Sequence, residues 1–285
     1  MTDSQDSNEV VRRARDYYDS ADADTFYYRV WGGEDIHIGL YESNEDGDIF
    51  AASRRSVAAM AEKLAPRGRG LRVLDIGAGY GGSGRYLAKA LGHHVTCLNL
   101  SRVQNERNRE ITNAQGLGDL VDVIDGNFEE LPFDDSSFEI VFCQDSILHS
   151  GNRFRVFEEV DRVLTPGGEF LFSDPMQEPE ADPEKLRPVL ERIHLASMGS
   201  IDEYRDYASR LGWSEIEIDE RPGQLVHHYG AVLRNLEART GELAGSISEE
   251  YLANMKRGLR HWIDAASAGL LDWGFLHFRK AGRPS

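Results

Sequence analysis

A glycine-rich turn between an apolar run and an amphipathic stretch constrains this chain most. The segment VLDIGAGYGGSG begins at Val73, and three of its glycines, Gly77, Gly79 and Gly81, fall at alternate positions. Glycines at the carboxyl end of a buried strand let the backbone approach a ligand, because no Cβ stands in the way. The segment therefore predicts a strand, a turn that binds a nucleoside-type cofactor, and a helix.

Further apolar runs follow at intervals that fit a parallel sheet flanked by helices. They begin at His94, Leu120, Phe138 and Gly167, and the helices between them are predicted over 82–90, 101–115 and 152–164. Two late strands are expected, WSEIEID and LLDWGFLHFRKAG. The pattern predicts an α/β fold with a mostly parallel seven-stranded sheet and an inserted helical cap.

The chain divides into three predicted parts. Residues 1–64 form a helical, aromatic-rich lid segment, residues 65–176 the cofactor-binding core, and residues 177–285 an acceptor-binding cap with the last two strands. Within the third part, helices are predicted over 182–197 and 200–211, and 224–265 reads as largely helical. A chain of this length can bury the core of one such elaborated fold.

Charge and composition exclude several partners. The net charge is -17, from 49 acidic and 32 basic residues, and such a surface repels phosphate backbones and anionic lipid. Only five of the basic residues are lysines, and excess carboxylate suits a cytoplasm of high ionic strength. With no long apolar run and no secretory signal, we expect a cytoplasmic monomer or homodimer that binds neither nucleic acid nor membrane.

The two cysteines predict core packing rather than chemistry. Cys97 and Cys143 each lie in an apolar run, and two thiols are too few for a disulfide framework. We expect no metal site.

Several segments carry a resemblance to a known family. Asp75 precedes the first glycine by two residues, a spacing that resembles the first motif of class I methyltransferases more than that of nicotinamide enzymes. The run GHHVTCLNLSRVQNERNR from Gly92 resembles sarcosine and dimethylglycine N-methyltransferases. Further segments that agree are WGGEDIHIGLY, CQDSILHS, SMGS followed by Tyr204 and Arg205, LVHHY and NMKRGLRHWI.

The resemblance implies a Rossmann-like class I methyltransferase fold that uses S-adenosylmethionine and releases S-adenosylhomocysteine. It places the glycines against the methionine end of the cofactor, strand-end polar groups at the ribose and adenine, and a glutamine over the sulfonium. The implied cofactor residues are Asp75, Gly77, Gly79, Gly81, Asn99, Leu100, Gln104, Asn127, Phe128 and Gln144. Relatives usually have Asp or Glu at position 99, and an Asn can make only part of the contact with two ribose hydroxyls.

The resemblance also suggests how the acceptor amine loses its proton. His149 is a candidate base, because imidazole titrates near neutrality and this segment follows the fourth strand. The segment is also similar to that of phosphobase methyltransferases, in which the matching His pairs with a tyrosine that aligns with Tyr27. The alternative is a His that only holds its loop by hydrogen bonds.

The acceptor is expected to be a small amine with a carboxylate, such as sarcosine or dimethylglycine. Aromatic faces attract methylated ammonium groups, and a guanidinium binds a carboxylate through two parallel bonds. The N-terminal aromatics could instead pin their segment to the domain. The residues expected at the acceptor are Tyr28, Trp31, Met198, Tyr204, Arg205 as carboxylate anchor and His227, with Tyr27 beside the base.

Three questions stay open at this point. One methyl group changes a pocket by only about 1–3 kcal/mol, so the sequence does not decide between sarcosine and dimethylglycine. A phosphobase or other small-molecule N-methyltransferase is the nearest alternative. A non-catalytic S-adenosylmethionine-binding regulator is the alternative from another class, because a fold does not fix a function.

Overall fold

The strands form one sheet in the order β3-β2-β1-β4-β5-β7-β6. Their bounds are β1 Arg72–Ile76, β2 His94–Asn99, β3 Val121–Asp125, β4 Phe138–Gln144, β5 Leu164–Gln177, β6 Ser214–Glu220 and β7 Leu271–Arg279. The computed structural model describes residues 11–13, 15–43, 47–193 and 195–282. β1 to β5 pair in parallel, and β7 runs antiparallel to β5 and β6. The predicted mostly parallel seven-stranded sheet is confirmed.

Helices cover the sheet and form the cap. They are α1 Ala21–Phe26, α2 Ile49–Leu64, α3 Gly82–Leu91, α4 Arg102–Ala114, α5 Arg153–Val163, α6 Pro183–Ile193, α7 Ile201–Arg210, α8 Gly223–Ala238, α9 Thr240–Leu243 and α10 Glu249–Ser267. The residues of 11–18 that the structure describes are also helical, and a π-type turn spans Tyr27–Trp31. None of the described helices has the length and apolar composition needed to cross a bilayer.

The last predicted helical stretch is divided into three helices. Gly245 has a φ of +82°, a left-handed value that interrupts an α-helix. Ser248 is the N-cap residue of α10, and its side chain accepts a hydrogen bond from the Tyr251 N–H. A serine at this position stabilises a helix start by about 1 kcal/mol. Local capping therefore overrides the helical periodicity at this point.

The two faces of the sheet bury separate apolar clusters. Neighbouring residues of β1 point to opposite faces, so Val73 joins one cluster and Leu74 the other. As predicted, Cys97 and Cys143 are buried free thiols, one in each cluster. The apolar clusters on both faces of the sheet therefore hold β1, which leads into the glycine turn.

Candidate functional site

A cavity lies at the carboxyl edge of the parallel strands, where open α/β sheets bind their ligands. Residues after β1, β2, β3 and β4 form one end, and the N-terminal segment, α6 and α10 form the other. The first end is lined by Gly77, Gly79, Leu98, Asn99, Leu100, Ser101, Gln104, Gly126, Asn127, Phe128 and Gln144. Most of the predicted cofactor residues are therefore brought together.

The glycine turn has a backbone that other residues rarely adopt. Gly77, Gly79 and Gly81 have φ values of +73°, +53° and +76°, in the left-handed region that glycine favours. A methyl group on Gly77 would also lie 2.5 Å from Cβ of Ser146. Gly81 does not line the cavity. It is the N-cap residue of α3, and a methyl group on it would overlap the side chain of Asn108.

We expect Gly77→Ala to weaken cofactor binding as well as stability. The left-handed φ costs about 1–3 kcal/mol for a residue with a side chain, and the new methyl group must displace Ser146, whose hydroxyl donates to the Gly77 carbonyl at 3.1 Å. Gly70→Ala is the matched control, because its φ is +72° and no described atom lies within 4 Å of an added methyl group. Calorimetry with S-adenosylmethionine and urea unfolding measure the two effects, and equal cofactor affinity of both variants would contradict the prediction.

Asn99 and Gln104 form a pair at the strand-end side of the cavity. The Asn99 amide donates to the Gln104 carbonyl oxygen at 2.9 Å, which leaves the Asn99 oxygen as an acceptor. The buried Gln104 amide nitrogen has no acceptor among the residues that the structure describes. The pair thus offers one acceptor and one donor where a carboxylate offers two acceptors, and such a set can bind two hydroxyl groups.

Asp75 lies below the turn and does not line the cavity. Its side chain is buried beneath α3, and a methyl group on Gly84 would lie 3.6 Å from its Oδ2. Within the described ranges Oδ2 has no hydrogen-bond partner, and burial raises the pKa of Asp75 to about 8. A direct cofactor contact is therefore not what this carboxyl is placed to make.

Gln144 is fixed by a short chain of buried polar groups. Its carbonyl oxygen accepts from the Ser83 hydroxyl at 2.6 Å. Since that hydroxyl has one proton, the His37 Nε2, 3.0 Å away, must donate to Ser83. Burial lowers the pKa of His37 to about 3, so its imidazole stays neutral. The Gln144 amide is therefore oriented before any ligand binds.

The other end of the cavity is aromatic and apolar, with one partly buried cation. Its ring pairs pack closely, with centroids 5.2 Å apart for Tyr27 and Trp31 and 4.9 Å apart for Tyr229 and Trp262. The lining residues of this end are Tyr17, Tyr18, Tyr27, Trp31, Leu148, His149, Pro175, Arg192, Ile193, Leu195, Tyr229, Leu259 and Trp262. This wall suits a small organic cation.

His149 lies in this wall with Tyr18 as its partner. The Tyr18 hydroxyl is 3.0 Å from His149 Nε2, whereas the Tyr27 hydroxyl is 3.3 Å from that of Tyr17. The expected pairing of His149 with Tyr27 is thus replaced by one with Tyr18. Burial, and then the nearby charge of Arg192, lowers the pKa of His149 to about 4. The imidazole is neutral at pH 7 and can accept a proton.

Asp145 lines the cavity and joins the N-terminal segment to the sheet. Its carboxylate accepts from the Ile38 N–H, the Trp273 indole N–H and the Ser173 hydroxyl, each at 2.7 Å. Its φ is +52°, which is uncommon for a residue with a side chain. Burial raises its pKa, and these three donors oppose that effect. Asp145 therefore ties Ile38 of the N-terminal segment to β5 and β7.

Five residues expected at the acceptor lie outside the cavity. Arg205 is exposed and pairs with Glu215 at 2.9 Å, so it cannot anchor a ligand in the cavity. The others are held elsewhere: Tyr28 packs under Arg107, Met198 is buried beside Gln177, Tyr204 donates to Asp174 at 2.5 Å, and His227 lies against the ring of Tyr41. Of this set, Trp31 alone lines the cavity.

Tyr18 and Arg192 are among the residues of the wall that sequence reasoning missed. Tyr18 stands next to Tyr17 in the chain, and nothing in the pattern shows which ring meets His149. Arg192 is one of 27 arginines. By contrast, Leu259 and Trp262 lie in NMKRGLRHWI, a segment already noted for its resemblance.

Comparisons with known proteins show the family to which the chain belongs. Residues 74–172 match a family model described as a methyltransferase domain. A sarcosine/dimethylglycine N-methyltransferase of Aphanothece halophytica is 54% identical over 271 residues, which cover 95% of this chain and 98% of the relative. A glycine/sarcosine/dimethylglycine N-methyltransferase of Actinopolyspora halophila is also 54% identical, over 95% of this chain but 47% of the relative's length.

Solved structures give the same result. A candidate sarcosine dimethylglycine methyltransferase from Galdieria sulphuraria superposes with a TM-score of 0.88 at 44% identity, covering 94% of this chain and all of that one. A Haemonchus contortus phosphoethanolamine N-methyltransferase has a TM-score of 0.80 at 19% identity, which shows the fold alone. This chain belongs to the sarcosine/dimethylglycine N-methyltransferase family of S-adenosylmethionine-dependent enzymes.

Proposed function

We propose that this enzyme methylates the nitrogen of sarcosine and of dimethylglycine, which yields dimethylglycine and glycine betaine. The observation that carries the proposal is the 54% identity to a sarcosine/dimethylglycine N-methyltransferase over 95% of the chain. In this proposal residues 1–64 act as a lid, 65–176 hold the cofactor, and 177–285 contribute the acceptor cap.

S-Adenosylmethionine supplies a methyl group on a positively charged sulfur. Gly77 and Gly79 would lie along its methionine part, and Asn99 with Gln104 would bind the ribose. The side-chain oxygen of Asn127, Oδ1, already accepts from the Glu129 N–H at 3.0 Å. Its amide nitrogen is therefore the group that can donate to adenine, beside the ring of Phe128.

The aromatic end of the cavity would hold the amine in line with the sulfonium. Tyr27, Trp31, Tyr229 and Trp262 line the cavity, and the rings of Trp31 and Tyr229 pack edge to face with centroids 5.8 Å apart. The face of such a ring attracts a methylated ammonium by about 0.5–2 kcal/mol. Because methyl transfer is an in-line displacement, holding the nitrogen in the attacking geometry supplies much of the catalysis.

Tyr18 and His149 would remove the amine proton. Burial raises the pKa of Tyr18 well above its ordinary value, so the hydroxyl stays protonated and can donate to the neutral His149 Nε2. A proton leaving the amine passes to the Tyr18 oxygen as the Tyr18 proton passes to Nε2. The freed lone pair would then attack the methyl carbon, and the electrons of the broken sulfur–methyl bond would stay on the sulfur of S-adenosylhomocysteine.

Trp31→Leu should raise the KM for dimethylglycine about 2- to 30-fold, because one aromatic surface is lost while the apolar contact remains. Affinity for S-adenosylmethionine should change little. Tyr28→Leu is the control, since Tyr28 is an aromatic of the same segment that does not line the cavity. Equal KM values for the two variants would count against a role of the Trp31 ring in binding the amine.

The proposed function is tested by incubating the enzyme with methyl-labelled S-adenosylmethionine and one acceptor at a time. The panel is glycine, sarcosine, dimethylglycine and phosphoethanolamine. Label in dimethylglycine and glycine betaine supports the proposal. Transfer only to phosphoethanolamine would make the enzyme a phosphobase methyltransferase, and cofactor binding without transfer to any amine would indicate a regulator.

A further inference from the structure

Arg192 is a cation of the aromatic wall that forms no ion pair with any residue the structure describes. It lies in the last turn of α6 and lines the cavity. Its Nη2 donates to the Met255 sulfur at 2.7 Å, and a thioether is a weak acceptor. Besides burial, the groups that most affect the pKa of Arg192 are the hydroxyls of nearby tyrosines, and no carboxylate of the described chain is among them. Most of its five N–H donors are therefore available to a ligand.

Gly258 makes room for this arginine. It lies in the interior of α10, a helix of 19 residues, where glycine costs about 0.5–1 kcal/mol relative to alanine. A methyl group at Gly258 would overlap Nε and Cδ of Arg192. The Arg192 side chain thus crosses α10 at Gly258, because a glycine leaves room for it to lie against the helix backbone.

The surroundings of Arg192 match the two charges of an amino acid acceptor. Its positive charge acts on His149 and Tyr27, which lie in the proposed amine-binding wall. A cationic nitrogen is attracted by the aromatic rings and repelled by the guanidinium, whereas a carboxylate is attracted by the guanidinium. The two ends of dimethylglycine can therefore be held in one orientation.

We propose that Arg192 binds the carboxylate of the acceptor through paired N–H···O bonds and thereby selects amino acids over amino alcohols. Gly258 positions the guanidinium. The inference rests on the proposed function for the identity of the acceptor. Arg192 takes the place of Arg205 as the carboxylate anchor. Arg13 and Arg15 also line the cavity, but both are exposed.

Two binding probes test this without turnover. Glycine betaine and choline have the same trimethylammonium group, and choline has an alcohol in place of the carboxylate. In calorimetry on the enzyme with S-adenosylhomocysteine, Arg192→Met should lose about 10- to 100-fold in affinity for glycine betaine and less than about threefold for choline. Arg192→Lys should lie between Arg192→Met and the native enzyme, because it keeps the charge without the paired donors.

Kinetics and a second variant complete the test. Arg192→Met should raise the KM for dimethylglycine by a similar factor, and Arg205→Met, which removes an arginine outside the cavity, should leave it unchanged. Gly258→Ala should also raise that KM with every charge retained. Equal losses for glycine betaine and choline, or native affinity for both in Arg192→Met, would overturn the assignment. A native enzyme that transfers no methyl group to either sarcosine or dimethylglycine contradicts the proposed function instead, and the binding comparison still decides the role of Arg192.

Discussion

Replacing His149 with alanine is expected to lower kcat for dimethylglycine by about 100- to 10,000-fold, the usual range for a general base. The affinity for S-adenosylmethionine should change little, because His149 lies at the aromatic end of the cavity. Tyr18→Phe should act in the same direction, since it keeps the ring and removes the hydroxyl 3.0 Å from Nε2. Single-turnover rates with bound labelled cofactor measure the step directly.

The pH profile provides a second measure of the same role. Because burial lowers the pKa of His149 to about 4, the imidazole can accept a proton throughout pH 5–9 and loses this ability as the pH falls through about 4. His261→Ala is the control, because His261 contacts the Pro188 carbonyl outside the cavity. Full turnover in His149→Ala with native cofactor affinity would leave His149 a purely structural role.

The second large effect concerns the pH dependence of stability, measured on Asp75→Asn. The ordinary pKa of this carboxyl is 3.8, and burial raises it to about 8 in the folded protein. Below pH 3.8 both states are protonated, and the full contribution to stability is present. Between 3.8 and 8 the unfolded chain ionises while the folded one does not, so the free energy of unfolding falls by about 1.4 kcal/mol per pH unit.

Asparagine does not titrate. As the pH rises from 4 to 8, the free energy of unfolding of Asp75→Asn should therefore rise relative to that of the native protein by an amount on the order of 5 kcal/mol. Urea unfolding at a series of pH values measures this difference. Asp134→Asn, at an exposed carboxylate, is the control and should show little such gain. A pH-independent difference between Asp75→Asn and the native protein would show that the buried carboxyl is already ionised at pH 4.

The strand-end half of the cavity, which we propose holds the cofactor, could be predicted because short segments determine its position. The apolar run before Gly77 predicts a strand, and the carboxyl ends of parallel strands meet at one edge of the sheet. Asn99, Asn127 and Gln144 each follow or end such a strand, and all three line the cavity. Their positions follow from local periodicity and need no knowledge of distant contacts.

The acceptor half could not be predicted because distant segments build it. Tyr17 and Tyr251 are 234 positions apart, and their hydroxyls lie 3.0 Å from each other. On a helix, one position turns a side chain by about 100°, so the sequence does not show whether Tyr17 or Tyr18 meets His149. For the same reason the sequence favours Arg205, in a segment that resembles the family, and does not single out Arg192, whose place depends on Gly258 of another helix.

The division of the cavity between two sets of chain segments has a consequence for how such enzymes diversify. The matched methyltransferase domain, residues 74–172, includes the glycine turn and every strand-end residue of the cofactor half, whereas Tyr18, Arg192 and Trp262 lie outside it. If the proposed roles of the two halves hold, a substitution in α6 or α10 changes the choice of amine and leaves the cofactor half undisturbed. We would then expect new acceptor specificities to arise through single changes in the cap.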